Sequence, residues 1–178
     1  MANKIKYGLT NVHYSIYNGS TYATPVRIYG AVNTSLAPVG EVTKFSGDNI
    51  EYYVAYGNNG YDGTIEIALV PESFKTGCMG YKIDGDGVIF QDPDATPTQF
   101  ALLFEFTGDE KAIKHVLYNT KAFSGNIDVA ATVNKEVKTE TLRLTARGGA
   151  NNRVKARSIA TTDATVLANW YTTVHIFE

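Results

Sequence analysis

The amino-acid sequence predicts a mainly β protein, folded as a single-domain sandwich or barrel with one or two short helices. Three observations lead to this class. Alternating apolar and polar residues recur in short runs, Gly, Asn and Asp separate these runs, and helical periodicity is confined to two brief segments. The length of 178 residues is that of one domain, so we predict a single unit over residues 1–178.

The strongest local pattern predicts a β-hairpin over residues 50–69. Residues 50–56 and residues 65–69 each alternate as strands do. Between them lie Gly57-Asn-Asn-Gly60 and Asp62-Gly63, residue types that tolerate positive φ and reverse a strand. The alternation places the following side chains on one face of their strand: Ile50, Tyr52, Val54 and Tyr56 in the first, and Ile65, Ile67 and Leu69 in the second.

A second antiparallel pair is predicted at Phe100–Phe106 and Lys114–Tyr118, with Gly108-Asp109 between them. The expected core face of the first strand carries Phe100, Leu102, Phe104 and Phe106. Further strands are expected near Ile5–Tyr17, Val26–Leu36, Thr139–Arg147 and Arg153–Ile159.

Two segments depart from the β pattern. Pro71–Lys75 begins with proline and an acidic residue, which favours the first turn of a short helix ended by Gly77 and Gly80. Asp163–Trp170 begins with a residue that can cap a helix and continues with apolar residues at helical spacing. The sequence Asp84-Gly-Asp-Gly87 predicts a tight turn between two short strands.

Composition argues against several classes of function. The net charge is −2, from 16 basic and 18 acidic residues, and the densest basic stretch, Arg143–Arg157, is interrupted by Gly and Asn. A sequence-specific DNA-binding protein shows a stronger basic surface than this.

The single Cys78 cannot form an internal disulfide, and we predict that its thiol is half-buried. The first residues carry no signal peptide and no run reaches the ~20 apolar residues of a membrane span, so we expect synthesis in a cytosol and no membrane partner.

Motifs that carry chemistry are missing from the sequence. His13, His115 and His175 have no ligand-type residue at metal-binding spacing. An EF-hand aligned on Gly87 would place Lys82 at its first position and proline at its twelfth. No phosphate-binding loop and no Gly-x-Ser-x-Gly motif occurs. We therefore predict no catalytic residue, metal or cofactor, and a protein that is not an enzyme.

The order of several segments resembles the major tail proteins, or tail tube proteins, of siphophages, and the resemblance covers nearly the whole chain. The most specific block runs from Asp48-Asn-Ile-Glu-Tyr-Tyr53 through Asn58-Asn-Gly-Tyr-Asp-Gly63 to Ile67-Ala-Leu-Val-Pro71. One departure is Thr120, where many relatives carry Cys. The remaining segments are Tyr7–Tyr14, Thr24–Val32, Leu36–Glu41, Phe100–Phe106, His115–Asn119, Lys138–Leu142 and Asn169–Tyr171.

This resemblance implies a β-sandwich with a flanking helix that forms hexameric rings. Stacked rings would make the hollow tail tube that conducts DNA to the host, with strands of neighbouring subunits edge to edge. The implied partners are further copies of the chain, the tail tip and tape measure proteins, and the terminator protein. DNA would pass without specific binding. The protein would be made in the host cytoplasm and reside in the virion tail.

The polar segment Pro38–Asp48 is predicted to be a projecting hairpin tip that contacts the next ring, because turn residues separate its two flanking strands. Three alternatives remain open: a carbohydrate-binding sandwich, favoured by 12 tyrosines; a hydrolase on a β scaffold; and another self-assembling phage component such as a capsid decoration protein. The predicted contact residues are Pro38, Val39, Glu41, Lys44, Phe45 and Asp48.

Overall fold

A computed structural model describes residues 7–47, 50–108, 112–125, 138–149 and 152–176. The protein is mainly β, with a large antiparallel sheet and two short helices, which confirms the predicted fold class. The strands are β1 Leu9–Ile16, β2 Val26–Arg27, β3 Ala31–Pro38, β4 Val42–Gly47, β5 Ile50–Tyr56, β6 Tyr61–Ile67, β7 Lys82–Ile83, β8 Ile89–Phe90, β9 Phe100–Phe106, β10 Lys114–Phe123, β11 Glu140–Ala146 and β12 Lys155–Arg157. The helices are α1 Glu72–Cys78 and α2 Ala164–Asn169.

The large sheet curls until its two edges meet. Its strand order is β2-β1-β9-β10-β11-β6-β3, with β12 added beside β10. The segment after β2 joins the two edges: Ile28 N donates to Val12 O at 2.8 Å, and Ala68 N donates to Gly30 O at 2.7 Å. Gly30 has φ +75°, which a residue with a side chain rarely adopts. The single strand predicted at Val26–Leu36 is therefore two strands, because the chain bends there from one edge to the other.

Strand β10 changes partner along its length. It pairs with β9 on one side, while its other side pairs first with β12 and then with β11. A register shift between Leu117 and Thr120 marks the change, and Asn119 there has φ 44°. The predicted antiparallel pairing of the strands at 100–106 and 114–118 is confirmed.

The predicted hairpin over 50–69 is wrong in its pairing. Strand β5 pairs with β4, whereas β6 lies between β3 and β11. The linker of Gly and Asn stays extended, since Asn59 N donates to Val39 O at 2.7 Å and Val39 N donates to Gly60 O at 2.9 Å. These backbone groups bond to each other across the two segments, so β5 continues the pairing on to β4 and not to β6.

The main core lies inside the curled sheet and is closed at one end by α1. Phe74 of α1 meets the rings of Tyr14 and Phe100 edge-on, with centroids 5.0 and 5.3 Å away. The predicted inward face of β9 is confirmed, although Ala101 and Leu103 on its other face are also buried. They belong to a second buried cluster formed with the C-terminal segment, whose other members are Val116, Tyr118, Trp170 and Val174.

Both short helices begin as predicted. Pro71 precedes α1, and the Asp163 side chain accepts a hydrogen bond from Thr165 N at 2.7 Å at the start of α2. Gly77 lies inside α1 instead of ending it, and Gly80 follows the helix with φ +76°. In the part of the chain that the structure describes, neither helix is long and apolar enough to cross a membrane.

Candidate assembly surfaces

A two-stranded arm continues from the large sheet. We use "arm" for β4 and β5, which pair with each other and form a separate two-stranded sheet among the described residues. Its base is the β3–β6 pair, and backbone hydrogen bonds between residues 39–41 and 57–60 connect the two sheets. Val42 and Ile50 of the arm expose 48% and 62% of their surface. Water is a poor environment for these apolar side chains, so the arm is a candidate contact surface.

The predicted contact residues are distributed along one strand of this arm and its base. Pro38 ends β3, Val39 and Glu41 lie in the short link, and Lys44 and Phe45 belong to β4. Asp48 lies outside the described residues, as do the side chains of Tyr52 and Tyr56. The hairpin is thus longer than predicted, because β5 forms its second strand.

The edge beside β12 is basic. Arg153, Lys155 and Arg157 are all exposed, and β12 pairs with β10 along one side. The Lys155 ammonium lies 4.5 Å from the centroid of the Tyr61 ring at the base of the arm. Arg147 binds the Asp62 carboxylate at 2.6 Å and donates to Tyr61 O at 3.0 Å. The basic edge and the base of the arm therefore form one continuous surface.

A small hairpin, β7–β8 with its turn at residues 84–88, forms the third surface. The Asp84 carboxylate accepts hydrogen bonds from Asp86 N at 3.0 Å and from Val88 N at 2.9 Å, so the predicted tight turn is confirmed. Lys82 binds Asp92 at the base of the hairpin at 2.5 Å. Its exposed apolar side chains are Ile83, Val88 and Phe90.

A buried polar cluster lies where the C-terminal segment crosses β1, β9 and β10. The His13 ring stacks on Tyr171 with centroids 4.4 Å apart, and Lys114 Nζ lies 4.4 Å from the centroid of the same ring. Lys114 also lies 3.6 Å from the carboxylate of Glu105, which is 8% exposed and accepts a hydrogen bond from Asn11. The groups contact one another closely, so they hold the C-terminal segment on the sheet.

The protonation states of this cluster follow from its burial. Desolvation lowers the pKa of His13, partly opposed by a bond between Nδ1 and Asn11 O at 2.8 Å. Burial raises the pKa of Tyr171, and the nearby Glu105 carboxylate raises it further. His13 was expected to be an ordinary strand residue, and it packs as one. The signal that sequence reasoning passed over was Glu105, a carboxylate in an otherwise apolar run.

Cys78 is fully buried rather than half-buried. It lies at the end of α1 in the main core, and burial raises the pKa of its thiol to about 12. A thiol in this state is protonated at neutral pH, so it is a poor nucleophile. Within the described ranges, no group of three His, Cys, Asp or Glu side chains is arranged to hold a metal ion.

Comparisons with known proteins give weak likenesses to solved structures. No protein family matches the sequence, and no curated protein sequence matches it. Among solved structures, a chain of the six-fold symmetrised baseplate of the anti-feeding prophage has a TM-score of 0.47 and 11% identity, covering 90% of this chain and 99% of that one. A chain of the cap that terminates the tube of the same prophage has a TM-score of 0.44 and 8% identity, covering 89% and 94%.

Proposed function

We propose that this chain is the major tail protein of a siphophage, a structural subunit whose stacked hexameric rings form the tail tube through which DNA is ejected. The ordered sequence segments described above, from Tyr7 to Tyr171, support this proposal. The described surfaces are also suited to contacts between subunits rather than to chemistry.

The observation that carries the proposal is the arm. A two-stranded hairpin is marginally stable by itself in water, and this one has no third strand among the described residues. Neighbouring subunits would supply that missing support. The contact with the next ring would use Pro38, Val39, Glu41, Lys44, Phe45 and Asp48.

Ring formation would use strand edges. Strand β2 pairs along one side with β1, so within the described fold its other side is left to a neighbouring chain. A ring requires two different complementary surfaces on each subunit, because its contacts run head to tail.

The mechanism is passive. DNA slides through a tube only if the wall does not hold its phosphates, and a net charge of −2 offers little counterion-release binding. The subunit would act in the virion tail together with tail tip, tape measure and terminator proteins, after synthesis in the host cytoplasm. It would require no catalytic group and no cofactor.

Negative-stain electron microscopy of the purified protein, across a concentration series, tests the proposal. Six-fold rings or hollow tubes are the expected result. A protein that stays monomeric at every concentration, even with tail tip proteins added, would refute it. Retention of such a monomer on a polysaccharide gel would favour the carbohydrate-binding alternative.

A further inference from the structure

We propose that the small hairpin of one subunit docks on the basic β12 edge of another copy of the same chain. This inference rests on the proposed self-assembly and identifies the two surfaces that meet. Both surfaces are described above.

The two surfaces lie toward opposite ends of the subunit. Tyr81, just before the small hairpin, bonds through its hydroxyl to Ser124 Oγ at 2.7 Å, immediately after β10 ends. Strand β12 pairs with His115–Leu117 near the beginning of β10. An extended strand from His115 to Ser124 covers about 30 Å at ~3.3 Å per residue, somewhat less with the bulge. A subunit therefore cannot make this contact with itself, and copies that make it are arranged head to tail.

The charges of the two surfaces are opposite. The small hairpin and the turn after it carry four aspartates, at positions 84, 86, 92 and 94, and the only cation among them, Lys82, is bound to Asp92. No Lys or Arg occurs from residue 83 to residue 110. By contrast, residues 141–162 contain five Lys or Arg and no Asp or Glu. Complementary potentials of this kind orient two proteins and reject the wrong partner.

The apolar side chains of the small hairpin and a hollow beside β12 support the same contact between copies. Ile83, Val88 and Phe90 expose 55%, 57% and 40% of their surface on the small hairpin. Beside β12 a hollow of ≈ 190 Å³ is lined by aromatic and aliphatic side chains, including Leu36 and Phe104. An exposed aromatic side chain that enters a hollow surrounded by charge is the usual centre of a tight interface. We expect Phe90 to occupy the hollow while the aspartates face the arginines.

Two charge-reversal variants test the contact. The first combines Asp86→Lys with Asp94→Lys and keeps Asp84, which holds the turn. The second combines Arg153→Glu with Arg157→Glu and keeps Lys155, which contacts Tyr61. All four altered side chains are exposed, and circular dichroism with thermal melting checks that each variant folds. The matched control is Lys138→Glu with Arg143→Glu. It reverses two positive charges, as the second variant does, but at positions outside β12.

The first variant has two basic surfaces and the second has two acidic ones. Each alone should need at least about tenfold more protein to assemble, as measured by sedimentation and electron microscopy. Their equimolar mixture should assemble near the wild-type concentration, because every contact between the two variants pairs opposite charges. The control should behave as the wild type. Assembly of either variant alone at the wild-type concentration would overturn the contact, as would a mixture no better than its parts.

The two proposals can fail separately. A wild-type protein that forms neither rings nor tubes, even with tail tip proteins added, refutes the proposed function. The contact is then decided by sedimentation velocity on the same two variants: heterodimers that form only in the mixture support it, and monomers in the mixture overturn it.

Discussion

Removal of the arm should separate assembly from folding. The change replaces Val42–Tyr56 with Asn-Gly, so that a two-residue turn joins Glu41 to Gly57. These ends already lie side by side, because Gly57 N donates to Glu41 O at 3.0 Å. Asn-Gly favours the type I′ turn that closes such a pair.

The expected effects on stability and on assembly differ in size. Within the described fold, β4 and β5 pair with each other and form a sheet separate from the large one. The free energy of unfolding should therefore change by less than about 0.5 kcal/mol, and the melting temperature by less than about 2 °C. Loss of an interface centre costs ~2 kcal/mol or more, which raises the concentration needed for tubes about 30-fold.

Urea unfolding measures the first effect, and electron microscopy of a concentration series measures the second. We expect rings without tubes. The matched control is Val32→Ser with Leu69→Ser, two exposed apolar residues of the body at 52% and 70% exposure, which should leave tubes intact. Normal tubes from the shortened chain would refute the role of the arm between rings. A loss of more than about 2 kcal/mol would show that the arm stabilises the body.

Three further predictions concern the subunit itself. Phe74→Ala should lower the free energy of unfolding in urea by about 3–5 kcal/mol, because the ring is 1% exposed and meets two aromatic rings; a loss below about 1 kcal/mol would contradict this packing. Cys78 should react with a thiol reagent at pH 8 only after urea is added, since burial raises its pKa to about 12; rapid labelling of the folded protein would be inconsistent with that burial. Because burial lowers the pKa of His13, protonation favours the unfolded state, and stability should fall as the pH drops below the ordinary value of 6.5. His13→Gln should reduce this fall when urea unfolding is compared at pH 7.5 and 5.5, and an unchanged pH dependence would contradict the assignment.

Sequence patterns predicted the elements better than their partners. The strands at Phe100–Phe106 and Thr139–Arg147 were identified correctly, because the first is a short apolar run and the apolar residues of the second alternate with polar ones. The partner of β6 could not be found in the same way. Its two neighbours, β3 and β11, are distant in sequence, and local turn residues favoured a pairing with β5, which pairs with β4 instead.

The candidate surfaces were partly visible in the sequence. The turn chemistry around Pro38–Asp48 predicted a projecting hairpin tip; strand β4 lies within this segment, and its contact with the next ring stays a prediction. The contact of Lys114 and Glu105 with Tyr171 was not predicted, since the C-terminal segment reaches them only in the folded chain. The sequence already shows that the small hairpin is acidic and that β12 is basic. Only the fold shows that the two lie toward opposite ends of β10.

The strand order also determines when the chain can finish folding during synthesis. Residues 31–67 contain both strands of the β3–β6 pair and of the β4–β5 pair, so this part can pair as soon as it leaves the ribosome. Strand β1 cannot pair with β9, and β6 cannot pair with β11, until those later strands have been synthesised. Strand β11 ends at Ala146. At ~5–20 residues per second, the interval between completion of β6 and completion of β11 is about 4–16 s. During that time the β3–β6 and β4–β5 pairs can form before the rest of the sheet is complete, and chaperones can prevent premature association of arms from neighbouring ribosomes.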